Sequence, residues 1–241
     1  MRISVIPTPY YGANCVVIVP DEGADALVVD PSWGVTDRIR EVLDRTGSRV
    51  GAVLATHGHP DHVWQCREVA SWAIEERGCE APVFIPGPDR YRMQDPAAHV
   101  PLPVPEEAGE WIAPADLRDV PGGAFEAVTG VRLLMVPAPG HTEGSSVFLG
   151  EARWSVDSGG VEVAAADEPA PFALSADVIF AGSVGRTDLP GGDEQAMRHS
   201  LRTLANALDP ATLLIPGHGA LTTMAGELES NAYLRRARMI G

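Results

Sequence analysis

Hydrophobic positions along the chain fall into short β-branched runs separated by segments of helical period. Val16 to Val19 (VVIV), Ala26 to Val29 (ALVV) and Val50 to Leu54 (VGAVL) read as strands. The last two lack polar alternation, as strands buried on both faces do. Between them, Thr36 to Arg45 (TDRIREVLDR) predicts a helix. Ile39, Val42 and Leu43 share one face, Thr36 is placed to cap the start, and Gly47 follows as a stop. Val63, Cys66, Ala70, Ala73 and Ile74 recur at helical spacing and predict a second helix from Asp61 to Arg77, ended by Gly78. The second half repeats the alternation, with strands expected at 131–136, 146–149, 178–180 and 212–215 and helices at 193–208 and 223–238. The Pro-rich stretch 82–123 reads as an irregular insertion or lid, and 151–175 as a longer connection. No fixed-period repeat is present. One α/β domain over residues 1–241, made of two similar halves, is the simplest expectation.

The heptapeptide Thr56-His57-Gly58-His59-Pro60-Asp61-His62 stands where the third of these strands ends and a helix begins, and it holds three of the chain's seven histidines. A fold has no need of such crowding, whereas a metal ion does, because imidazole nitrogen and carboxylate oxygen are its usual donors. Three more single donors follow or precede buried runs next to glycines: His141 after LLMVPAPG, His218 in TLLIPGHG, and Asp177 at the head of DVIFAGSVGRTD. A four-coordinate zinc with an open position needs only three protein ligands. Five histidines and two aspartates fit two ions sharing a carboxylate, with a water or hydroxide between them. His99, in the Pro-rich stretch, and His199, within a predicted helix, read as hydrogen-bonded structural imidazoles.

Composition narrows the partners. The formal net charge is −15, from 33 acidic and 18 basic residues, and there is no basic run. Nucleic acid and anionic membrane surfaces are disfavoured, which leaves a small-molecule substrate. Cys15, Cys66 and Cys79 form no CxxC pair, and free thiols in a reducing cytoplasm are expected. No apolar run has signal-peptide or membrane-spanning length. Neither a GxSxG elbow nor a P-loop occurs, and Gly12, Gly58 and Gly217 read as turn residues.

HxHxDH at His57, His59, Asp61 and His62, with the later blocks PGHTEGSSVFL, DVIFAGSVGRTDLPGG and IPGHG, resembles the metallo-β-lactamase superfamily over nearly the whole chain. Within it the chain looks most like the glyoxalase II branch of hydroxyacylglutathione hydrolases. The resemblance implies an αββα sandwich, with two packed mixed sheets and helices outside. It implies that His57, His59 and His141 hold one divalent ion, that Asp61, His62 and His218 hold the other, and that Asp177 bridges. Zinc is the first choice, with iron or manganese the others. Asp61 would also orient the nucleophile or accept a proton, and the metal-bound hydroxide would attack a thioester of a hydroxyacyl-thiol. The family usually has Gly-Asp at the bridge, where this chain has Ala176-Asp177. Asp157 and Asp167 are rival bridges, but only Asp177 directly precedes the VIFAGS run. Arg186 and Asp188 are expected to form a structural ion pair rather than substrate contacts. The basic C-terminal segment that larger glyoxalase II enzymes use for the glutathione carboxylate is expected to be missing. The alternatives are a mononuclear-iron persulfide dioxygenase, a lactone or β-lactam hydrolase, and a non-enzymatic metal-binding protein.

Overall fold

The predicted strands form, with others the sequence did not mark, in a computed structural model that describes residues 1–239. The first half runs β1 (Arg2–Pro7), β2 (Asn14–Val19), β3 (Asp25–Val29), α1 (Thr36–Thr46), β4 (Arg49–Leu54), the short helices α2 (Pro60–Val63), α3 (Cys66–Ser71) and α4 (Ile74–Arg77), then β5 (Val83–Ile85) and β6 (Leu117–Asp119). The second half runs β7 (Ala124–Val128), β8 (Val131–Pro137), β9 (Ser146–Ser158), β10 (Val161–Ala176), β11 (Ile179–Phe180), β12 (Ser183–Val184), α5 (Glu194–Ala207), β13 (Leu213–Pro216), β14 (Thr222–Thr223), α6 (Met224–Ser230) and α7 (Ala232–Met239). One hydrogen-bonded path orders the strands β14-β13-β10-β9-β1-β2-β3-β4-β5-β6, with β8 and then β7 branching from β9.

Side-chain alternation divides that path into two packed layers. Val17, Val19, Val28 and Val53 face Ile39, Val42, Cys66 and Val69 of α1 and α3. Their neighbours Val16, Ile18, Leu27 and Leu54 point the other way, against Phe125, Leu133, Phe148, Phe172 and Ile215. On the far side Val147, Ala173 and Leu214 meet Met197, Leu201 and Leu204 of α5 and Leu234 of α7. Helix, sheet, sheet, helix is the expected αββα order. Strand β9 joins the layers. Its start pairs antiparallel with β8 through Ser146 to Leu149, and its end pairs parallel with β1 through Ser155 to Ser158.

The structure corrects several boundaries. The stretch 151–175, expected as a longer connection, is the far part of β9 and most of β10, paired antiparallel across register shifts. The helix expected over 61–77 breaks into three: the Gln65 amide donates to Pro31 O at 3.1 Å, outside the helix, and the Trp72 and Ala73 amides donate three residues back, to Val69 O at 3.2 Å and Ala70 O at 3.3 Å, rather than four. The last expected helix divides at Asn231. That buried side chain donates to Ser183 O at 2.9 Å and accepts from the Tyr233 amide at 3.0 Å, so it ends one helix and starts the next. Thr36 is the first helical residue of α1 rather than its cap. Val35 occupies the cap position and offers no side-chain bond. Gly47 and Gly78 do end their helices in the left-handed conformation. Segment 82–123 holds β5, β6 and three 3-10 helices.

Candidate metal centre

The turn after β4 carries His57 and His59, and α2 begins at Pro60, so Asp61 and His62 fall in its first turn. His141 lies in the turn between β8 and β9, Asp177 directly follows β10, and His218 follows β13. The fold brings all seven predicted donors together. Ligand atoms of His57, His59 and His141 lie within 4.8 Å of one another, and so do those of Asp61, His62 and His218 and those of His57, His62 and Asp177. Six of the seven are buried, and His218 keeps 26% of its side chain exposed.

Hydrogen bonds at Nδ1 show which nitrogen four of the five imidazoles present. His62 Nδ1 faces the Asp30 carboxylate at 3.0 Å, His141 Nδ1 the Arg186 carbonyl at 2.8 Å, and His218 Nδ1 the Tyr11 carbonyl at 3.1 Å. These acceptors have no proton to give, so each Nδ1 must donate. The Thr56 hydroxyl spends its hydrogen on Asp30 Oδ2 at 2.7 Å and therefore accepts from His57 Nδ1–H at 3.1 Å. In the neutral form of each of these four rings the Nε2 lone pair is left to point inward. Nε2 of His57, His59 and His141 and Oδ1 of Asp177 are buried without a hydrogen-bond partner. Nε2 of His62 and His218 approach to 3.2 Å, with Asp177 and Asp61 oxygens 3.4–3.8 Å from them, and Asp177 lies 3.3 Å from His141 Nε2. Buried polar atoms are normally satisfied. Lone pairs and carboxylates aimed at one another fit divalent cations, the group this donor set takes.

Electrostatics divides the histidines. Burial, aided by neighbouring imidazoles, pushes His57 well below the ordinary value and takes His59 down to about 3. Burial opposes charge on His62 as well, but Asp177, Asp61 and Asp30 outweigh it and raise His62 to about 9. At His218 burial is likewise overcome by hydrogen bonds and attraction from Asp177 and Asp61, and the value reaches about 11. Burial would raise both carboxyls, yet His62 and His218 hold Asp61 below, and Asp177 well below, the carboxylate range. The two carboxylates thus make one side of the centre strongly attractive to positive charge.

Sequence reasoning missed the residues behind the donors. Asp30, 2% exposed, accepts the Thr56 amide and hydroxyl and the His62 ring, and so orients two donors at once. It follows the buried run ALVV just as His141 and His218 follow theirs, and that signal applied to all carboxylates finds it. Asp89, in the Pro-rich stretch, is fully buried and accepts three hydrogen bonds. No comparable signal marked it. Gly58 is more than a turn residue: a Cβ there would sit 2.7 Å from Arg92 Cβ. A Cβ on Gly217 would meet Asp177 Oδ1 at 2.1 Å, so close approach, not a turn, requires that glycine, whereas Gly12 has the turn conformation expected of it (φ +66°). Among the described residues, the non-glycines with positive φ are Tyr11, Asp30 and Ala176, and all three border the centre.

His99, His199, Asp157 and Asp167 lie elsewhere, and Arg186 meets the centre only through its carbonyl on His141. His99 packs edge-on against Tyr91 at 4.9 Å, and His199 is exposed on α5 near Arg202. Asp157 accepts from Ser4 Oγ at 2.6 Å, and Asp167 is exposed on β10. Arg186 and Asp188 form the expected two-armed ion pair at 2.6 and 2.7 Å. Cys15 and Cys66 are buried free thiols, and Cys79 is an exposed one. Among the described residues no helix is long and apolar enough to cross a membrane.

Comparison with known proteins places this arrangement. The chain is 31% identical to a Mycobacterium leprae protein, over 97% of this chain and 99% of that one. It is 26% identical to the hydroxyacylglutathione hydrolase GloC of Haemophilus influenzae, over 97% and 98%. Its fold matches the crystal structure of the BLEG-1 B3 metallo-beta-lactamase with a TM-score of 0.72 at 22% identity, covering 96% of this chain and 99% of that one. A crystal structure described as a di-iron-bound form matches with a TM-score of 0.69 at 24% identity, over 95% and 98%. The metallo-beta-lactamase superfamily model matches residues 9–153, which carry four of the inward-facing donors in their HxHxDH spacing, and with the fold agreeing across the remainder the chain belongs to that superfamily.

Proposed function

We propose that this chain is a hydrolase of small-molecule thioesters of the hydroxyacyl-thiol type, working with two divalent ions, zinc first among them. The observation that carries the reading is the convergence of seven donors with their Nε2 lone pairs and carboxylate oxygens turned inward. One ion would be held by His57, His59 and His141, the other by Asp61, His62 and His218, with Asp177 between them. Such ions lower the pKa of a shared water and polarise an acyl carbonyl. The protein's own groups do the rest. Asp30, Thr56 and the carbonyls of Tyr11 and Arg186 fix the ring tautomers, so no reorganisation is needed at turnover. Asp61, held ionised by His62 and His218, orients the attacking water and can accept its proton. Cleavage adds water across the acyl–sulfur bond and releases an acid and a thiol. The GloC relative supports the thioester class, and the donor count supports two ions over the single iron of a persulfide dioxygenase. A cytoplasmic setting fits the free thiols.

The test is elemental analysis of active protein combined with a panel of thioesters, lactones, β-lactams and persulfides. Two equivalents and selective thioester turnover are expected. Full activity with one equivalent, or oxygen consumption on persulfides without thioester cleavage, would replace this reading.

A further inference from the structure

Residues Gly87–Gln94 form a 3-10 helix, whose three residues per turn stack Asp89 and Arg92 on one side. Both are buried, at 0% and 1% exposure. Asp89 Oδ2 accepts the Gly58 amide at 2.8 Å and the Thr142 hydroxyl at 2.7 Å, and Oδ1 accepts the Gly144 amide at 2.7 Å. Gly58 separates His57 from His59, and Thr142 follows His141. One carboxylate therefore spans the two turns that carry these three donors, and it makes no hydrogen bond to Asp61, His62 or His218. Arg92 Nε lies 3.6 Å from Asp89 Oδ1, and Nη2 continues to Glu143 at 2.6 Å and the Pro190 carbonyl at 2.9 Å. The approach is close enough to require glycine on both turns. A Cβ on Gly144 would lie 2.7 Å from Asp89 Cγ, and one on Gly58 would lie 2.8 Å from Arg92 Cδ.

We propose that Asp89 is a positioning residue for one half of the centre, clamping the 57–59 turn to the 141–144 turn so that His57, His59 and His141 converge on a single ion. This rests on the two-ion reading above. A carboxylate is needed because two fixed main-chain N–H groups meet its two oxygens. An amide has one acceptor, so in Asp89→Asn an NH2 must face the Gly58 or the Gly144 amide and push its turn away. Removing partners that orient metal ligands typically costs about 10–100-fold in metal affinity. The loss should fall on one ion alone, because Asp30 holds His62 independently.

The experiment titrates metal-free Asp89→Asn with Co²⁺, followed by absorbance and calorimetry beside wild type, His141→Ala and His218→Ala. Asp89→Asn is expected to bind one equivalent about 10–100-fold more weakly. The ion it keeps should share the spectrum of the ion kept by His141→Ala, while the metal-free unfolding midpoint falls because buried Arg92 loses a charged neighbour. Wild-type affinity for both equivalents, equal weakening of both, or a retained spectrum like that of His218→Ala would overturn the proposal. Should Asp89→Asn not fold, Thr142→Val deletes only one of the clamped groups. A smaller loss on the same equivalent supports the clamp, and no loss overturns it. A wild type that takes up one equivalent counts against the two-ion reading itself. Asp89 is then judged on that equivalent, weakening in Asp89→Asn supporting the clamp and unchanged affinity overturning it.

Discussion

Ala176 stands where the resemblance leads one to expect glycine, and its φ of +46° is the conformation glycine adopts freely. The departure keeps Asp177 in place at a cost: a left-handed residue with a Cβ is about 1–2 kcal/mol less favourable. Ala176→Gly should relieve that strain and lose part of the gain to the more flexible unfolded chain. The expected result in denaturant unfolding is a small stabilisation, of order 1 kcal/mol or less, with metal content unchanged. Asp177 itself lies 3.3 Å from the His141 ring and 3.4 Å from the His218 ring, one from each donor set. Its loss should therefore weaken both ions and collapse turnover, because no carboxylate shared by the two sets then offsets their mutual repulsion. Metal stoichiometry and thioester cleavage for Asp177→Ala, Asp157→Ala and Asp167→Ala form the test, with loss expected only for the first. His57→Ala should behave like Asp177→Ala at one ion, whereas His99→Ala and His199→Ala should retain metal and activity.

Elements were legible where local pattern and tertiary demand agree. The runs VVIV, ALVV and VGAVL are strands, and Ile39, Val42 and Leu43 of α1 are buried together as their spacing predicts. They were illegible where a single tertiary bond decides. Nothing in the period of Val63, Cys66 and Ala70 announces that the Gln65 amide will leave the helix for Pro31. The β9–β10 hairpin was hidden for another reason: its polar, Ala-rich outer part, EARWSVDSGGVEVAAADEP, is half solvated and lacks the apolar run of a buried strand. The donors were legible because metal chemistry repeats one residue type within a few positions. Asp30 and Asp89 act one at a time and resemble surface carboxylates. Asn231 shows what one such residue does for an element. It is fully buried, and Asn231→Ala strands the Ser183 carbonyl and the Tyr233 amide at the junction of α6 and α7. A loss of about 1–3 kcal/mol in unfolding free energy is expected, with metal stoichiometry intact.

At the scale of the whole molecule the centre is coupled to pH. With no ion bound, His62 and His218, raised to about 9 and about 11, carry protons at neutral pH. Their folded-state values exceed the ordinary one, so this stabilisation is fully present below about pH 6.5 and is lost as pH rises through about 9 and then about 11. An entering ion must displace the same protons. Metal binding at neutral pH should therefore release protons, and the affinity should climb with pH. Calorimetry in buffers of different ionisation enthalpy measures the release, and a pH-independent affinity between pH 6 and 9 would contradict it. The donors also stand far apart along the chain, from the turn after β4 to the turn after β13. A chain leaving the ribosome shows His57 to His62 to the cell long before His218 exists. Until β13 has docked, the set of Asp61, His62 and His218 lacks its third member, whereas His57, His59 and His141 need nothing beyond the turn after β8. On the two-ion reading, occupancy of the His218 set therefore reports that the turn after β4 and the turn after β13 have met, whereas occupancy of the His57 set does not.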